Sequence, residues 1–161
     1  MIIRKAKISD IKEIMQCLEA AKQFMRNTNN MTQWTNGYPS EALILEELNK
    51  EELYVCLHNE KIVGTFCFTT AGESTYDIIE NGKWLNDKPF GVIHRLASNG
   101  TVKGVGKACM DWCFEQIGNI KVDTHADNIP MQHIFEKLGY TNCGIIYLAN
   151  GDSRIAYQKG S

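Results

Sequence analysis

Residues 92–140 restrict the fold of this chain more than any other stretch. A short apolar run, Val92-Ile93-His94-Arg95-Leu96-Ala97, leads through Ser98-Asn99-Gly100-Thr101-Val102-Lys103-Gly104-Val105-Gly106 into a helix, a strand and a second helix. Gly104 and Gly106 stand at the mouth of the first helix and leave the neighbouring backbone N–H groups unshielded. Those first amides have no intrahelical acceptor and the helix dipole is positive there, so the loop is a ready anion site. A Walker A loop needs Gly-x4-Gly-Lys-Ser/Thr, yet Val105 stands five residues after Gly100. The dinucleotide fingerprint Gly-x-Gly-x-x-Gly takes Gly104 and Gly106 but meets Cys109 at its third position, and six residues separate Ala97 from Gly104. Asp123 lies near the distance at which such a fold binds a ribose, which keeps a dinucleotide-binding enzyme as a third reading.

Another pattern fits the spacing better. After the strand come Thr101-Val102-Lys103-Gly104-Val105-Gly106, then a helix, another strand, Asn128, and a helix ending in Phe135-Glu136-Lys137-Leu138-Gly139-Tyr140. This order resembles the GNAT superfamily of N-acetyltransferases, strongly over 92–140 and by element order over nearly the whole chain. The resemblance implies acetyl-CoA as co-substrate, its pyrophosphate on the loop amides and its pantetheine arm between two splayed strands. It also implies transfer of the acetyl group to a primary amine by direct attack on the thioester. Two positions depart from the pattern. Thr101 stands where the family has Arg or Gln, which removes a long polar side chain and leaves the amides in place. Phe135 stands where the family often has the Tyr that protonates the leaving thiolate, and a phenyl ring has no proton to give. A catalytically weak acyl-CoA sensor or regulator is therefore the main alternative to an enzyme.

A chain of 161 residues can bury a self-sufficient core, and a single domain over 1–161 is expected. Its net charge of −2, with no run of like charge, offers no basic footprint for nucleic acid. No segment approaches the ~18 consecutive apolar residues of a membrane span. Met1-Ile2-Ile3-Arg4-Lys5-Ala6 lacks the apolar core of a secretion signal, so a cytoplasmic protein without a membrane partner is expected. Cys17, Cys56, Cys67, Cys109, Cys113 and Cys143 contain no Cys-x-x-Cys pair, which suits buried, reduced thiols. Cys109 and Cys113 share a helix face, but no second ligand pair follows at finger spacing, so the expectation is core packing and no metal.

The remaining elements follow from local pattern. Residues 2–6 read as a strand, and Ser9 as the cap of a helix in which Ile11, Ile14, Met15, Leu18 and Ala21 recur at helical spacing. A polar loop over 27–39 carries Trp34 and Tyr38 before Pro39-Ser40 opens a second helix. Runs at 53–57 and 62–68 form a hairpin, and a long connection over 71–91 holds a helical turn near 76–81. Strands at 92–97 and 120–124 flank a helix over 104–117; Pro130 opens and Gly139 closes the last helix. A second hairpin, 144–148 with 153–158, turns at Asn150-Gly151. The fold class is α/β: a mixed, twisted, mainly antiparallel sheet of about seven strands with helices on both faces. The strand–helix–strand crossover makes 92–97 and 120–124 parallel, and the resemblance implies that these two splay.

Acyl transfer from a thioester needs a neutral nucleophile, an aligned carbonyl, donors for the developing oxyanion and a proton for the sulfur. By resemblance, the N–H groups of Leu96 and Ala97 meet the thioester and pantetheine, while the amides of Val102, Lys103, Gly104, Val105, Gly106 and Lys107, next to Thr101, hold the phosphates. The Lys103 and Lys107 side chains either add charge there or are simply solvated, and neither is catalytic. Asn128 either reaches the cofactor arm, beside Phe135, or makes a local Asx turn. His94 lies on the central strand, and the unperturbed imidazole pKa of about 6.5 suits a base; the alternative is a satisfied core histidine. His125 and His133 are weaker candidates, and Asp123 and Arg95 would brace the other face of the sheet. Tyr140, Tyr147 or water protonates the thiolate, or nothing does, since a thiol pKa of about 8.5 makes thiolate a tolerable leaving group. Trp34, Tyr38, Glu73, Tyr76 and Trp84, with Arg154 and Tyr157, would line the acceptor pocket, although loop aromatics also serve to cover a core. Acids such as Glu73 or Asp77 near aromatic faces favour a cationic amine, on a small molecule or a peptide. Monomer and homodimer both stay open.

Overall fold

The computed structural model describes residues 1–160. Strands β1 (Ile2–Lys5), β2 (Leu53–His58), β3 (Lys61–Thr69), β4 (Gly91–Ser98), β5 (Asn119–Thr124), β6 (Thr141–Tyr147) and β7 (Ser153–Gly160) form one sheet in the order β1-β2-β3-β4-β5-β7-β6. Helices α1 (Ile11–Asn27), α2 (Glu41–Asn49), α3 (Val105–Ile117) and α4 (Ile129–Lys137) complete the chain. Every neighbouring pair is antiparallel except β4 with β5, as the crossover through α3 requires. Among the described residues, no helix is long and apolar enough to cross a membrane.

Alternation along the strands divides the core between two faces. On one, Ile14 and Leu18 of α1 and Ile44 of α2 pack on Leu53, Val55 and Ala97. On the other, Val105, Cys109 and Cys113 of α3 and Phe135 of α4 pack on Phe66, Phe68, Ile93, Ile120 and Val122. All six cysteines are free and buried. The part of the first face that α1 and α2 leave bare is covered by the connection between β3 and β4, which lays Tyr76, Trp84 and Phe90 on Val92, Ile146 and Ala156. A seam between these two covers lies over β4 and β5.

Two local expectations need correction. Ser9 does not cap α1: a 3-10 turn at Ile8–Asp10 comes first, and the Asp10 carboxylate accepts from the Lys7 N–H at 2.8 Å and from Arg4 Nη1 at 2.7 Å. A charged acceptor that bonds both a backbone amide and a guanidinium outcompetes a hydroxyl. The turn expected near 76–81 is a 3-10 turn at Ser74–Tyr76 instead. Past it, Glu80 exchanges two backbone hydrogen bonds of 2.8 Å with Ile145, so this segment satisfies its polar groups on the open edge of β6 rather than on itself. The second helix opens where Pro39-Ser40 indicates, with Ser40 as its cap, Oγ accepting from the Leu43 N–H at 3.1 Å.

Candidate active site

The site begins with an interruption in the sheet. β4 and β5 pair only at Gly91 with Ile120 and at Val92 with Lys121. Beyond them the strands part, and the edge of β4 that faces β5 has no ladder partner. On its other edge β4 slips against β3: Thr65 lies opposite Ala97 and Cys67 opposite His94, so Arg95 and Leu96 together face Phe66. Arg95 takes φ +53°, a left-handed conformation that costs about 1–3 kcal/mol for such a residue. A bulge of this kind bends its strand and re-aims its backbone groups.

What holds the bulge is a partly buried ion pair. Arg95 donates through Nε and Nη2 to the two Glu47 carboxylate oxygens at 2.8 and 3.0 Å, and through Nη1 to the Tyr38 hydroxyl at 2.7 Å. Burial opposes the guanidinium charge most strongly, but the Glu47 bonds together with the neighbouring Tyr38 and Glu47 charges outweigh it and its pKa is raised. Arg95 does brace β4 against α2 and Tyr38, but it and Asp123 line the cleft together with His94 rather than the other face of the sheet; sequence reasoning missed its partner Glu47, which reads there as one more helix-surface acid.

A cleft of about 860 Å³ passes through the splay. Met110, Val122, Met131 and Phe135 line it on the side of α3 and α4; Trp34, Tyr38, Glu73, His94, Asp123 and Arg154 line it elsewhere. His94 Nε2 stands 3.5 Å from Glu73 Oε2, and Thr75 Oγ1 donates to Glu73 Oε1 at 2.7 Å. His94 chiefly, with help from Thr75, holds the Glu73 carboxyl below its ordinary range. Across the splay, the Tyr76 hydroxyl donates to Asp123 Oδ2 at 2.6 Å, and burial pushes both groups up.

Several candidates lie away from the cleft wall. Tyr76 is only 2% exposed and holds Asp123 from behind; Trp84 braces it through an Nε1–H bond to the Tyr76 carbonyl at 2.9 Å and takes Lys121 Nζ at 4.4 Å from its ring centre. Tyr140 is buried with its ring on Phe135 at 5.8 Å, its hydroxyl unpartnered and its pKa raised by burial. Tyr157 packs on Phe135 from the other side at 5.0 Å. Tyr147 is 44% exposed on the outer strand β6, where Glu80 raises its pKa. Neither Tyr140 nor Tyr147 lines the cleft, and Asp77 does not either.

The loop over 27–39 crosses to the far side of the splay. Arg26 gathers the carbonyls of Asn30, Gln33 and Trp34 at 2.8–3.0 Å. Gln33 Oε1 accepts from Asn128 Nδ2 at 3.1 Å, while Asn128 Oδ1 caps α4 by accepting from the Met131 N–H. Both ends of the Asn128 amide are thus engaged within the protein. His125 Nδ1 accepts the Asp127 N–H at 2.9 Å, so the neutral ring carries its proton on Nε2 and donates it to Thr32 Oγ1, also at 2.9 Å.

Past the C-terminal end of β4, and outside the residues that line the cleft, the glycine loop is built as an open cradle. Asn99 Oδ1 accepts from the Thr101 N–H and hydroxyl, Ser98 Oγ accepts from the Gly100 N–H, and the first helical bond runs from Ala108 N–H to the Gly104 carbonyl. Among the described residues, none of the N–H groups of Val102, Lys103, Gly104, Val105, Gly106 and Lys107 has an acceptor. Gly104 takes φ +82°, and a Cβ at Gly106 would meet only Ile134 Cδ1 at 3.9 Å, so the space over these amides is clear. The Lys107 ammonium pairs with Asp111 one turn along the helix, whereas Lys103 is exposed.

Residues 13–140 match the Acetyltransferase (GNAT) family. A GNAT-family acetyltransferase from Streptococcus agalactiae 2603 is 30% identical, with 99% of this chain and 95% of that one covered and a TM-score of 0.91. A protein of known structure from Staphylococcus aureus Mu50 is 26% identical over 99% of both chains, with a TM-score of 0.73. A GNAT-family acetyltransferase from Listeria monocytogenes 4b F2365, at 16% identity, 98% and 93% coverage and a TM-score of 0.71, shares the fold. No curated protein matches the chain. The chain belongs to the GNAT acetyltransferase family, whose general reaction is acetyl transfer with acetyl-CoA as co-substrate.

Proposed function

We propose that this protein moves the acetyl group of acetyl-CoA to the primary amine of a cationic acceptor, by direct attack of the amine on the thioester. The observation that carries the reading is the run of acceptor-free amides from Val102 to Lys107 at the mouth of α3, set at one end of the β4–β5 splay. The pyrophosphate takes these amides, with Lys103 near, and the pantetheine arm lies along Leu96, Met131 and Phe135. The bulge at Arg95 presents the Leu96 amide to the thioester oxygen, while Ala97, expected to share this task, pairs with Thr65 of β3 instead. His94 takes the ammonium proton, directly or through a water, and Glu73 orients the ring and stabilises its cation.

Charge in the cleft supports a cationic acceptor. Glu47 with Arg95 and Glu46 with Lys50 cancel as ion pairs. Glu73, Asp123, Asp152 and Glu52 then stand against Arg154 and His94. Calorimetry with acetyl-CoA, CoA and NAD should show micromolar binding of the first two alone, and a screen of small amines and peptides should give turnover on alkylammonium acceptors. Tight NAD binding would sink the assignment, whereas acetyl-CoA binding without turnover on any amine would favour the sensor reading.

A further inference from the structure

We infer that Thr124 is a catalytic residue whose hydroxyl donates a hydrogen bond to the cofactor's sulfur as the acetyl group leaves, a task that Phe135 cannot perform. The inference rests on the acetyl-transfer reading above. Thr124 closes β5, is 1% exposed and lines the cleft, yet its Oγ1 has no hydrogen-bond partner among the described residues. Two other buried side-chain atoms share that condition, Asn30 Oδ1 and Tyr140 Oη, and neither of those residues lines the cleft. A buried hydroxyl without a partner is expensive to keep, and such a group calls for an explanation. A ligand that completes its bonding supplies one.

Position points to which part of the ligand. Period-two alternation places Thr124 on the same face of β5 as Ile120 and Val122, the face where Phe135, Met110 and Met131 line the cleft. Extending the register of Gly91 with Ile120 and Val92 with Lys121 along both strands sets Thr124 level with the bulge at Arg95. The Leu96 amide that meets the thioester oxygen follows immediately, so the sulfur on the same carbonyl carbon comes between the bulge and the Thr124 hydroxyl. In the transfer, the amine nitrogen bonds to the carbonyl carbon, the C–S bond breaks and its electron pair stays on sulfur. The amine's proton goes to His94 and then to solvent; the thiolate departs as an anion and takes its own proton from solvent. Thr124 keeps its proton throughout and stabilises the charge on sulfur, a hydrogen bond that strengthens as that charge grows.

The test needs no acceptor. CoA bound to the protein is titrated by the ultraviolet absorbance of its thiolate, in the wild type and in Thr124→Val and Thr124→Ser. The expected result is a bound thiol pKa about one unit below that of free CoA, a tenfold gain in thiolate. Thr124→Val should abolish this shift and Thr124→Ser retain it, while the Val variant without ligand melts at the same temperature or higher. With an amine found by screening, Thr124→Val should lower kcat about tenfold at unchanged KM for acetyl-CoA, and Phe135→Tyr in that background should restore it. The same thiol pKa in wild type and Thr124→Val overturns the inference. So does an equal loss of affinity for CoA and acetyl-CoA without a pKa change, which would assign the hydroxyl to a pantetheine amide. Failure of CoA to bind the wild type at all removes the acetyl-transfer reading, and the inference with it.

Discussion

His94 and Asp123 sit at matching levels of two strands that have stopped touching, and their surroundings set them different tasks. His94 has Glu73 on one nitrogen and the cleft beside it. His94→Ala should lower kcat by ~10²–10⁴ at neutral pH, with much of the loss recovered at high pH, where the amine is already neutral. Lower thermal stability with normal turnover per folded molecule would instead make it a packing residue. Asp123 gives a prediction in stability. Burial raises its pKa in the folded protein, with the Tyr76 bond only partly opposing. An acid that binds its proton more tightly when folded loses folded-state stability as pH rises from its unfolded value, about 3.9, through the raised one. Asp123→Asn should therefore gain stability relative to wild type between acid and neutral pH, and show no gain below pH ~3. Asp10 has the opposite sign: the Arg4 bond lowers its pKa, so its contribution is present at neutral pH and disappears as the solution is acidified through the lowered value. Urea unfolding of both Asn variants at several pH values separates the two cases, and parallel pH profiles would refute the assignment for Asp123.

In the proposed function the glycine loop is the element on which cofactor binding turns, and its two glycines should fail differently when replaced. Gly104 has φ +82°, so any side chain strains the backbone before a ligand is considered. Gly106 has helical neighbours and open space, and Val there should leave the melting temperature within a few degrees of wild type while abolishing CoA binding by calorimetry. Undiminished affinity in Gly106→Val would place the phosphates elsewhere. This loop could be read from sequence because its geometry is local: two glycines, a preceding strand and a following helix define it. The Asn150-Gly151 turn and the helix starts at Pro39-Ser40 and Pro130 are readable for the same reason. The bulge at Arg95 was not, because it depends on how β3 registers against β4, and no pattern within 92–97 encodes the slip between Thr65 and Cys67. Glu47 was invisible for a related reason: what distinguishes it from Glu46 is Arg95, which is 48 residues away. Tyr76 and Trp84 read as pocket walls because they are large aromatics in a long connection, whereas Tyr76 holds the cleft residue Asp123 from behind and Trp84 bonds the Tyr76 carbonyl.

Across the whole molecule, the splay leaves strands β4 and β5 with few direct ties. Two residue pairs join β4 to β5, and the Thr32–His125 and Gln33–Asn128 bonds carry the loop after α1 across the gap. The parallel crossover and the element order that create this gap could be inferred from sequence; the insertion of β7 between β5 and β6 could not, since a hairpin signal does not say which of its strands faces the sheet. The cofactor proposed for the cleft would touch both strands, so it would bind the folded chain and have no equivalent site in the unfolded one. At a concentration about 100-fold above Kd, such a ligand stabilises by about 2.7 kcal/mol. For a protein of this size each kcal/mol moves the melting temperature by roughly 2–4 °C. Acetyl-CoA and CoA should therefore raise the midpoint by about 5–11 °C in a thermal scan, with NAD giving no shift. Gly106→Val should melt near the wild-type temperature without ligand and lose the acetyl-CoA shift, because only the phosphate cradle is blocked. Should saturating acetyl-CoA leave the wild-type midpoint where it was, the cleft is not the cofactor's seat, whatever the loop beside it resembles.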